Sequence, residues 1–280
     1  MILVTGATGN VGREVVKLLL NDGQKVVAVT RNPTTAALHG GAHVVGGDPS
    51  RPKSLTSALS GIEAILLSPR ALGDAAPELL MLAAEQGVQR VVLLSAATVE
   101  HGGGSRHFAD QFKAVEDAVT ASGLPWTFLR CADFASNARV WAPQIRLSSS
   151  VRGAYGDAAT STIHERDIAA VAARVLVPSE HCGRSYLLTG PQSLTQREKV
   201  RLIGEAIGKN LLWEEISPQE VRQAMIARGV PADVPDRMLG YLADRVEQPG
   251  PSSDTVEQIL SRPALTFSEW AVEHVADFTN

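Results

Sequence analysis

The sequence predicts an α/β protein: a doubly wound parallel sheet with helices on both faces and a smaller, mostly helical lobe toward the C-terminus. Three observations predict it. Apolar runs and amphipathic stretches alternate through the first half of the chain, the rhythm of βαβ units. Several of those runs, Val91-Val92-Leu93-Leu94 among them, are apolar without alternation, as strands buried on both faces are. The first run, Ile2-Leu3-Val4-Thr5, leads into a turn with glycines at 6, 9 and 12 and then a helical stretch.

That first unit carries the earliest functional expectation. Glycine permits the backbone angles of a tight turn and lets N–H groups approach a ligand. The helix that follows offers free N–H groups and the positive end of its dipole to an anion. The commonest dinucleotide fingerprint is G-x-G-x-x-G. Here the spacing is G-x-x-G-x-x-G, preceded by Thr5, a variant of it. A second strand over residues 25–30 completes the βαβ unit. The expected role is the pyrophosphate grip of a Rossmann-type domain, formed by Gly6, Thr8, Gly9, Asn10, Val11 and Gly12.

The remaining elements follow in order. The first helix covers residues 11–21 and is closed by Asp22-Gly23. Further strands are expected at 43–45, 64–67, 91–94 and 126–129, with helices at 55–59, 75–85 and 108–120. Gly87 and Ser122-Gly123 stop the last two helices. Right-handed crossovers then place a ligand at the C-terminal ends of the strands. Beyond Arg130 the rhythm loosens. A helix is expected at 136–145, a loop at the serine run 148–150, a helix at 167–176 and a strand at 185–189. Residues 197–207, 218–228, 234–245 and 267–278 read as helices, 211–216 as a strand and 248–253 as a linker. The expected division is a dinucleotide-binding domain over 1–135, to which 160–190 return, and a substrate lobe from 136–159 and 191–280. Trp213 and Trp270 fall in segments expected to form that lobe's core.

Composition narrows the class. The chain has 280 residues, 44% hydrophobic and 20% charged, ordinary for a soluble globular protein. A formal charge of −4 gives no basic footprint for nucleic acid. No apolar run approaches the roughly 20 residues that span a bilayer, and the N-terminal run reads as a strand, not a secretory signal. Cys131 and Cys182 are the only cysteines, so neither a disulfide framework nor a cysteine metal cluster is suggested. The expectation is a cytoplasmic protein, monomer or homodimer, with no metal, nucleic-acid or membrane partner.

With these residues placed, the chain resembles the NmrA-like branch of the atypical short-chain dehydrogenase/reductases over essentially its whole length. The resemblance rests on Thr5-Gly6-Ala7-Thr8-Gly9-Asn10-Val11-Gly12, Thr30-Arg31-Asn32-Pro33, Lys113-Ala114-Val115-Glu116 and residues 122–130. Phe134, Asn137 and Arg166-Asp167-Ile168-Ala169 continue it. It implies an NADPH-dependent quinone or phenylpropanoid reductase, or a redox sensor that binds the cofactor without turnover. It is also similar to actinomycete reductases of aromatic polyketide tailoring, which implies a quinone or polycyclic ketone substrate and a step linked to oxygenation.

Arg31 closes the second strand, where the adenosine ribose belongs. A carboxylate there would suit the 2′-hydroxyl of NAD; an arginine suits the 2′-phosphate of NADP. NADP(H) is therefore favoured over NAD(H), the alternative being a solvated loop arginine. Asp48 either approaches the adenine or starts the turn with Pro49. Leu67-Ser68 and Ser95-Ala96 end two buried strands, at positions that face the cofactor in such a fold. Ser95 also matches the serine of ordinary short-chain dehydrogenases. Their Tyr-x-x-x-Lys partner is incomplete: Lys113 is present, but Ala109 stands four residues before it. The tyrosine that would move the proton is missing, which argues against simple ketone–alcohol interconversion. It argues equally against epimerase or dehydratase chemistry.

The resemblance puts Lys113 near the nicotinamide ribose; otherwise it is a surface lysine. His107, after the glycine-rich stretch 102–104, is a candidate catalytic and substrate-contacting residue able to donate a proton near neutral pH, or a solvated loop histidine. Phe134, Asn137 and Trp141 either line the substrate pocket, as an aromatic wall for a flat molecule, or pack sheet against lobe. Cys131 is assigned no chemistry. Asp167 is expected to anchor loops near the sheet edge, and His164 to be structural. The reading is an NAD(P)H-dependent reductase passing hydride to a flat quinone or polycyclic aromatic ketone. The alternative is a non-catalytic cofactor-binding sensor.

Overall fold

The computed structural model describes residues 1–102, 106–177 and 180–279, except for the side chains of 106 and 107. The first half runs β1 (Ile2–Val4), α1 (Asn10–Asn21), β2 (Val26–Thr30), β3 (His43–Gly46), β4 (Ala64–Leu67), α2 (Ala76–Glu85), β5 (Arg90–Ala96), α3 (Thr98–His101), α4 (Arg106–Ala121) and β6 (Trp126–Cys131). After it come α5 (Ala142–Leu147), β7 (Ser150–Gly153), β8 (Ala159–Thr160), α6 (Glu165–Leu176), β9 (Arg184–Leu188) and β10 (Leu194–Thr195). The chain ends with α7 (Gln196–Ile207), β11 (Leu212–Glu215), α8 (Pro218–Ala227), α9 (Asp233–Glu247), α10 (Thr255–Leu260), α11 (Phe267–Glu273) and α12 (Val275–Thr279).

Seven strands form one parallel sheet in the order β3-β2-β1-β4-β5-β6-β9. Strand side chains alternate between faces, and in β1 both faces are apolar. Ile2 and Val4 enter a core built with Val15, Val16 and Leu19 of α1 and Ile168 and Val171 of α6. Leu3 enters the opposite core with Leu79 and Leu80 of α2 and Val119 of α4. A parallel sheet requires such double cover. The strand order reverses at β1/β4, and the loops leaving those two strands part there to open a crevice.

A third core holds the C-terminal lobe: Ile145, Val200, Ile203, Phe267, Trp270 and Phe278 are buried together. Three of its helices, α7, α8 and α11, start with reciprocal Ser/Thr–Glu capping boxes at Thr195/Glu198, Ser217/Glu220 and Thr266/Glu269. Asp167, fully buried, accepts hydrogen bonds from Arg262 (2.6 Å) and the Leu265 N–H (2.6 Å), which fastens the segment before α11 to α6.

The lobe departs from the sequence expectations in four places. The helix expected at 136–145 is a run of 3-10 turns, Ala135–Trp141, followed by α5. Pro143 lacks an N–H and is tolerated only in a helix's first turn. The serine run is partly strand: β7 starts at Ser150 and pairs in parallel with β11. Inside the segment 248–260, expected only as linker at its start, lies the short helix α10. The terminal helix breaks at His274, whose φ of −113° leaves the helical region.

Candidate active site

The glycine turn is shaped by contact as much as by torsion. Gly6 has φ +63°, and a Cβ there would lie 3.0 Å from Ser68 Cβ. A Cβ on Gly12 would lie 2.2 Å from the Gly6 carbonyl oxygen, so α1 seats its first turn directly on the turn's backbone. Gly9 N–H donates to the Gly6 carbonyl (2.9 Å). Thr5 fixes this turn to β4: its hydroxyl donates to the Leu66 carbonyl (2.9 Å) and accepts the Ser68 N–H (2.8 Å). Arg13 braces it from outside, donating to the carbonyls of Thr8 (2.9 Å) and Ala37 (2.8 Å). The N-terminus of α1 has no side-chain cap and no acid in its first turn. Its free N–H groups therefore face the crevice without a competing anion. A cradle that a Cβ would fill, beneath an uncapped helix start, fits a dinucleotide pyrophosphate.

Arg31 stands exposed at the end of β2, with no carboxylate within ion-pair distance among the described residues. Asp48 is committed to its own turn, accepting from the Ser50 N–H (3.1 Å) and hydroxyl (2.8 Å). Those bonds hold its carboxyl below the usual range, with Arg51 and Arg31 adding a smaller effect.

From this turn a cleft of about 1680 Å³ runs between the sheet's C-terminal edge and the lobe. Gly6, Gly9, Asn10, Val11, Gly12, Ser68, Ser95, Ala96, Phe134, Asn137 and Trp141 all line it. Thr8, Arg31, Leu67 and Lys113 do not. Leu67 is fully buried in the core beneath the sheet edge. Lys113 pairs with Asp117 on the exposed face of α4, where the helix turns Gln111 and Ala114 to the cleft instead. His107 lies in the first turn of α4, and its side chain is outside the described residues, as are residues 103–105 of the glycine-rich stretch.

Ser95 is engaged below the cleft floor. Its hydroxyl donates to Glu116 (2.6 Å), which is buried and held by Arg130 through two bonds of 3.0 and 2.8 Å. Arg130 also donates to Glu100 (2.6 Å). The network joins β5, α3, α4 and β6 immediately under the site, and the paired carboxylates raise the Arg130 guanidinium above its usual range. Burial pushes the Cys131 thiol up, which keeps it protonated and inert.

Two features escape the sequence reading. Lys199 of α7 is 2% exposed, lines the cleft and donates to Asp133 (3.4 Å) and to Thr160. Asn137 donates to the other Asp133 oxygen (2.6 Å). Burial holds the Lys199 ammonium below its ordinary range, with Asp133 opposing that shift. Nearby, burial pushes the Tyr241 phenol up to about 12, helped by the field of Asp133. The Tyr241 phenol therefore keeps its proton near neutral pH. The second feature is Trp213, which packs against the lobe's core as expected but also reaches the cleft. It stands edge-on to Trp141, ring centroids 6.1 Å apart at 84°, and both line the cleft. Gly153 makes room for it: a Cβ there would lie 2.4 Å from the indole. Only the scarcity of lysine, six in the chain, marked Lys199 in the sequence. Nothing in β11's alternation told a cleft-facing tryptophan from a core one.

With this geometry in place, comparison with known proteins is direct. The model of an NAD(P)H-binding family matches residues 6–178. A Streptomyces griseus subsp. griseus protein named (4-alkanoyl-5-oxo-2,5-dihydrofuran-3-yl)methyl phosphate reductase is 36% identical, with 99% of each chain covered. An NAD(P)H azoreductase of Xenophilus azovorans is 31% identical, again over 99% of each. The crystal structure of an NADPH-dependent quinone oxidoreductase from Escherichia coli superposes with a TM-score of 0.83 at 27% identity, over 98% of this chain and 99% of that one. The chain belongs to the NAD(P)H-binding family, within the NmrA-like atypical short-chain dehydrogenase/reductases, and is an NAD(P)H-dependent oxidoreductase. No described helix is long and apolar enough to cross a membrane.

Proposed function

We propose that the chain is an NADPH-dependent reductase of conjugated, electron-poor acceptors such as quinones, polycyclic aromatic ketones and acyl-substituted unsaturated lactones. The observation that carries this is the single cleft joining the glycine turn to the Trp141–Trp213 wall, with no Tyr-x-x-x-Lys pair beside it. When bound, the nicotinamide supplies the hydride. The turn, Ser68 and Ala96 orient it, and Arg31 selects the 2′-phosphate form. The tryptophans hold a flat acceptor and exclude water.

A conjugated acceptor suits a site without that tyrosine. Hydride addition to its ring or double bond leaves negative charge on a carbonyl oxygen, where it is delocalised, so little acid help is needed. The proton that completes the reduction then comes to that oxygen, or to the adjacent carbon, from Lys199, Tyr241 or solvent. The relatives' printed substrates, a quinone, an azo compound and an alkanoyl-dihydrofuranone, share this electron demand. A cytoplasmic setting, in which Cys131 and Cys182 stay free thiols, accompanies this reading.

The test is NADPH consumption by the purified protein with a panel of quinones and acyl-butenolides, set beside simple ketones. Saturable consumption with the conjugated acceptors and none with the simple ketones is expected. Bound NADPH with no consumption above blank for any acceptor would replace this reading with that of a non-catalytic sensor.

A further inference from the structure

One face of α9 carries cationic groups that the hydride chemistry does not need. Arg237, Tyr241 and Arg245 are spaced four apart, which aligns them along one side of a helix, and all three line the cleft. Arg245 is only 5% exposed. A buried guanidinium is ordinarily paired with a carboxylate, because an uncompensated buried charge is costly. Arg245 has none within ion-pair distance among the described residues. It donates instead to the backbone carbonyls of Gln248 (3.2 Å), His101 (3.4 Å) and Gly102 (3.0 Å), and its Nε has no partner. Its guanidinium carbon lies 5.1 Å from the Tyr241 ring centre. Arg237, half-buried, likewise has no carboxylate within ion-pair distance among the described residues; its guanidinium sits 4.5 Å over the ring of Phe108.

The acids of the cleft do not neutralise this face. Asp133, whose field reaches Tyr241, is engaged by Lys199 and Asn137. Asp74 and Asp110 also line the cleft, but neither is within ion-pair distance of Arg237 or Arg245. On α9 itself, Asp236 is paired with Arg222. Among the described residues, this wall of two guanidiniums and a neutral phenol lacks a counter-anion.

We propose that Arg245, Tyr241 and Arg237 form a subsite for a phosphate monoester carried by the acceptor. The arginine fork matches phosphate oxygens, and a dianion is the charge that two such groups can satisfy. Tyr241, kept protonated, adds a donor. Phe108, under Arg237, would pack against the apolar part of the same molecule. The inference rests on the reading that this cleft takes the substrate, and it gives that substrate a charged end as well as a flat, electron-poor one.

The test separates the subsite from the chemistry. Binding of phenyl phosphate to protein saturated with NADP⁺, which fills the nucleotide phosphate site, needs no turnover. Saturable binding is expected in the wild type, at least tenfold weaker in Arg245→Met and in Arg237→Gln, with benzyl alcohol not competing. Should Arg245→Met fail to fold, Arg237→Gln decides alone, because its side chain is half-exposed. In turnover, an acyl-butenolide bearing a phosphate is expected to have at least a hundredfold higher kcat/KM than its free alcohol, and the variants are expected to erase that ratio. Phenyl phosphate binding that is absent, or equal in wild type and variants, overturns the subsite even if menadione is reduced. Binding that follows the arginines without any turnover keeps the subsite and overturns the reductase reading.

Discussion

At the scale of single residues, Gly12 is a position where backbone geometry tolerates no side chain. A Cβ 2.2 Å from the Gly6 carbonyl forces α1 off the turn. Gly12→Ala is expected to cost about 1–3 kcal/mol of stability, the range for overpacking, and to abolish NADPH binding. Thermal unfolding and a nucleotide titration measure the two effects separately. Arg31 is a different kind of residue, exposed and unpaired, so changing it should leave the fold intact. A hydrogen bond to a charged group contributes about 1.5–3 kcal/mol, so Arg31→Glu is expected to weaken NADPH roughly tenfold to a hundredfold while sparing NADH. Affinities for NADPH and NADH that are both unchanged in the variant would remove Arg31 from the site. The glycines were legible from spacing because their constraint is local, between residues six apart. Lys113 was not: its position on α4 matches a familiar pattern, yet the helix turns it outward to Asp117, and a helix's rotation about its axis is fixed by packing that sequence spacing alone does not resolve.

At the scale of elements, the site stands on buried charge. Glu116 is 3% exposed and is neutralised by Arg130. Removing one partner of a buried pair leaves the other uncompensated and typically costs about 3–5 kcal/mol. Arg130→Met is expected to lose about that much in urea unfolding, with Glu116→Gln milder because it keeps a hydrogen-bonding side chain without the charge. Lys199 yields a pH prediction. Its folded pKa lies below the ordinary 10.5 because of burial. Between the two values the unfolded chain binds more protons than the folded one, so stability rises with pH on approaching 10.5 from below. Lys199→Met should flatten that rise; an unchanged profile would mean that the ammonium is not buried as the geometry describes. The strands of the sheet and its long helices were readable from apolar runs and glycine stops, whereas the helix expected at 55–59 is a 3-10 turn over Pro52–Leu55. The lobe was less so. β7 and β11 are four residues each and pair only with each other, Leu212 opposite Ser150 and Trp213 opposite Val151. A pairing between such distant short segments leaves no periodic trace.

At the scale of the molecule, one cleft brings the nucleotide cradle of the sheet against the aromatic and cationic walls of the lobe. The fold makes this juxtaposition by returning α6 and β9 to the sheet, so that the lobe's segments leave from its C-terminal edge. If Trp141 and Trp213 hold the acceptor, Trp213→Ala should raise KM for a quinone about tenfold with a smaller change in NADPH affinity, since burying an aromatic side chain is worth a few kcal/mol. The measurement that bears most directly on the account is a single-turnover reaction of protein-bound NADPH, protiated or deuterated at C4, with menadione and with an acyl-butenolide phosphate. Oxidation of the bound cofactor, slowed by deuterium and carrying the label into the reduced lactone, is the predicted result. NADPH that stays bound and unoxidised with every acceptor would contradict it.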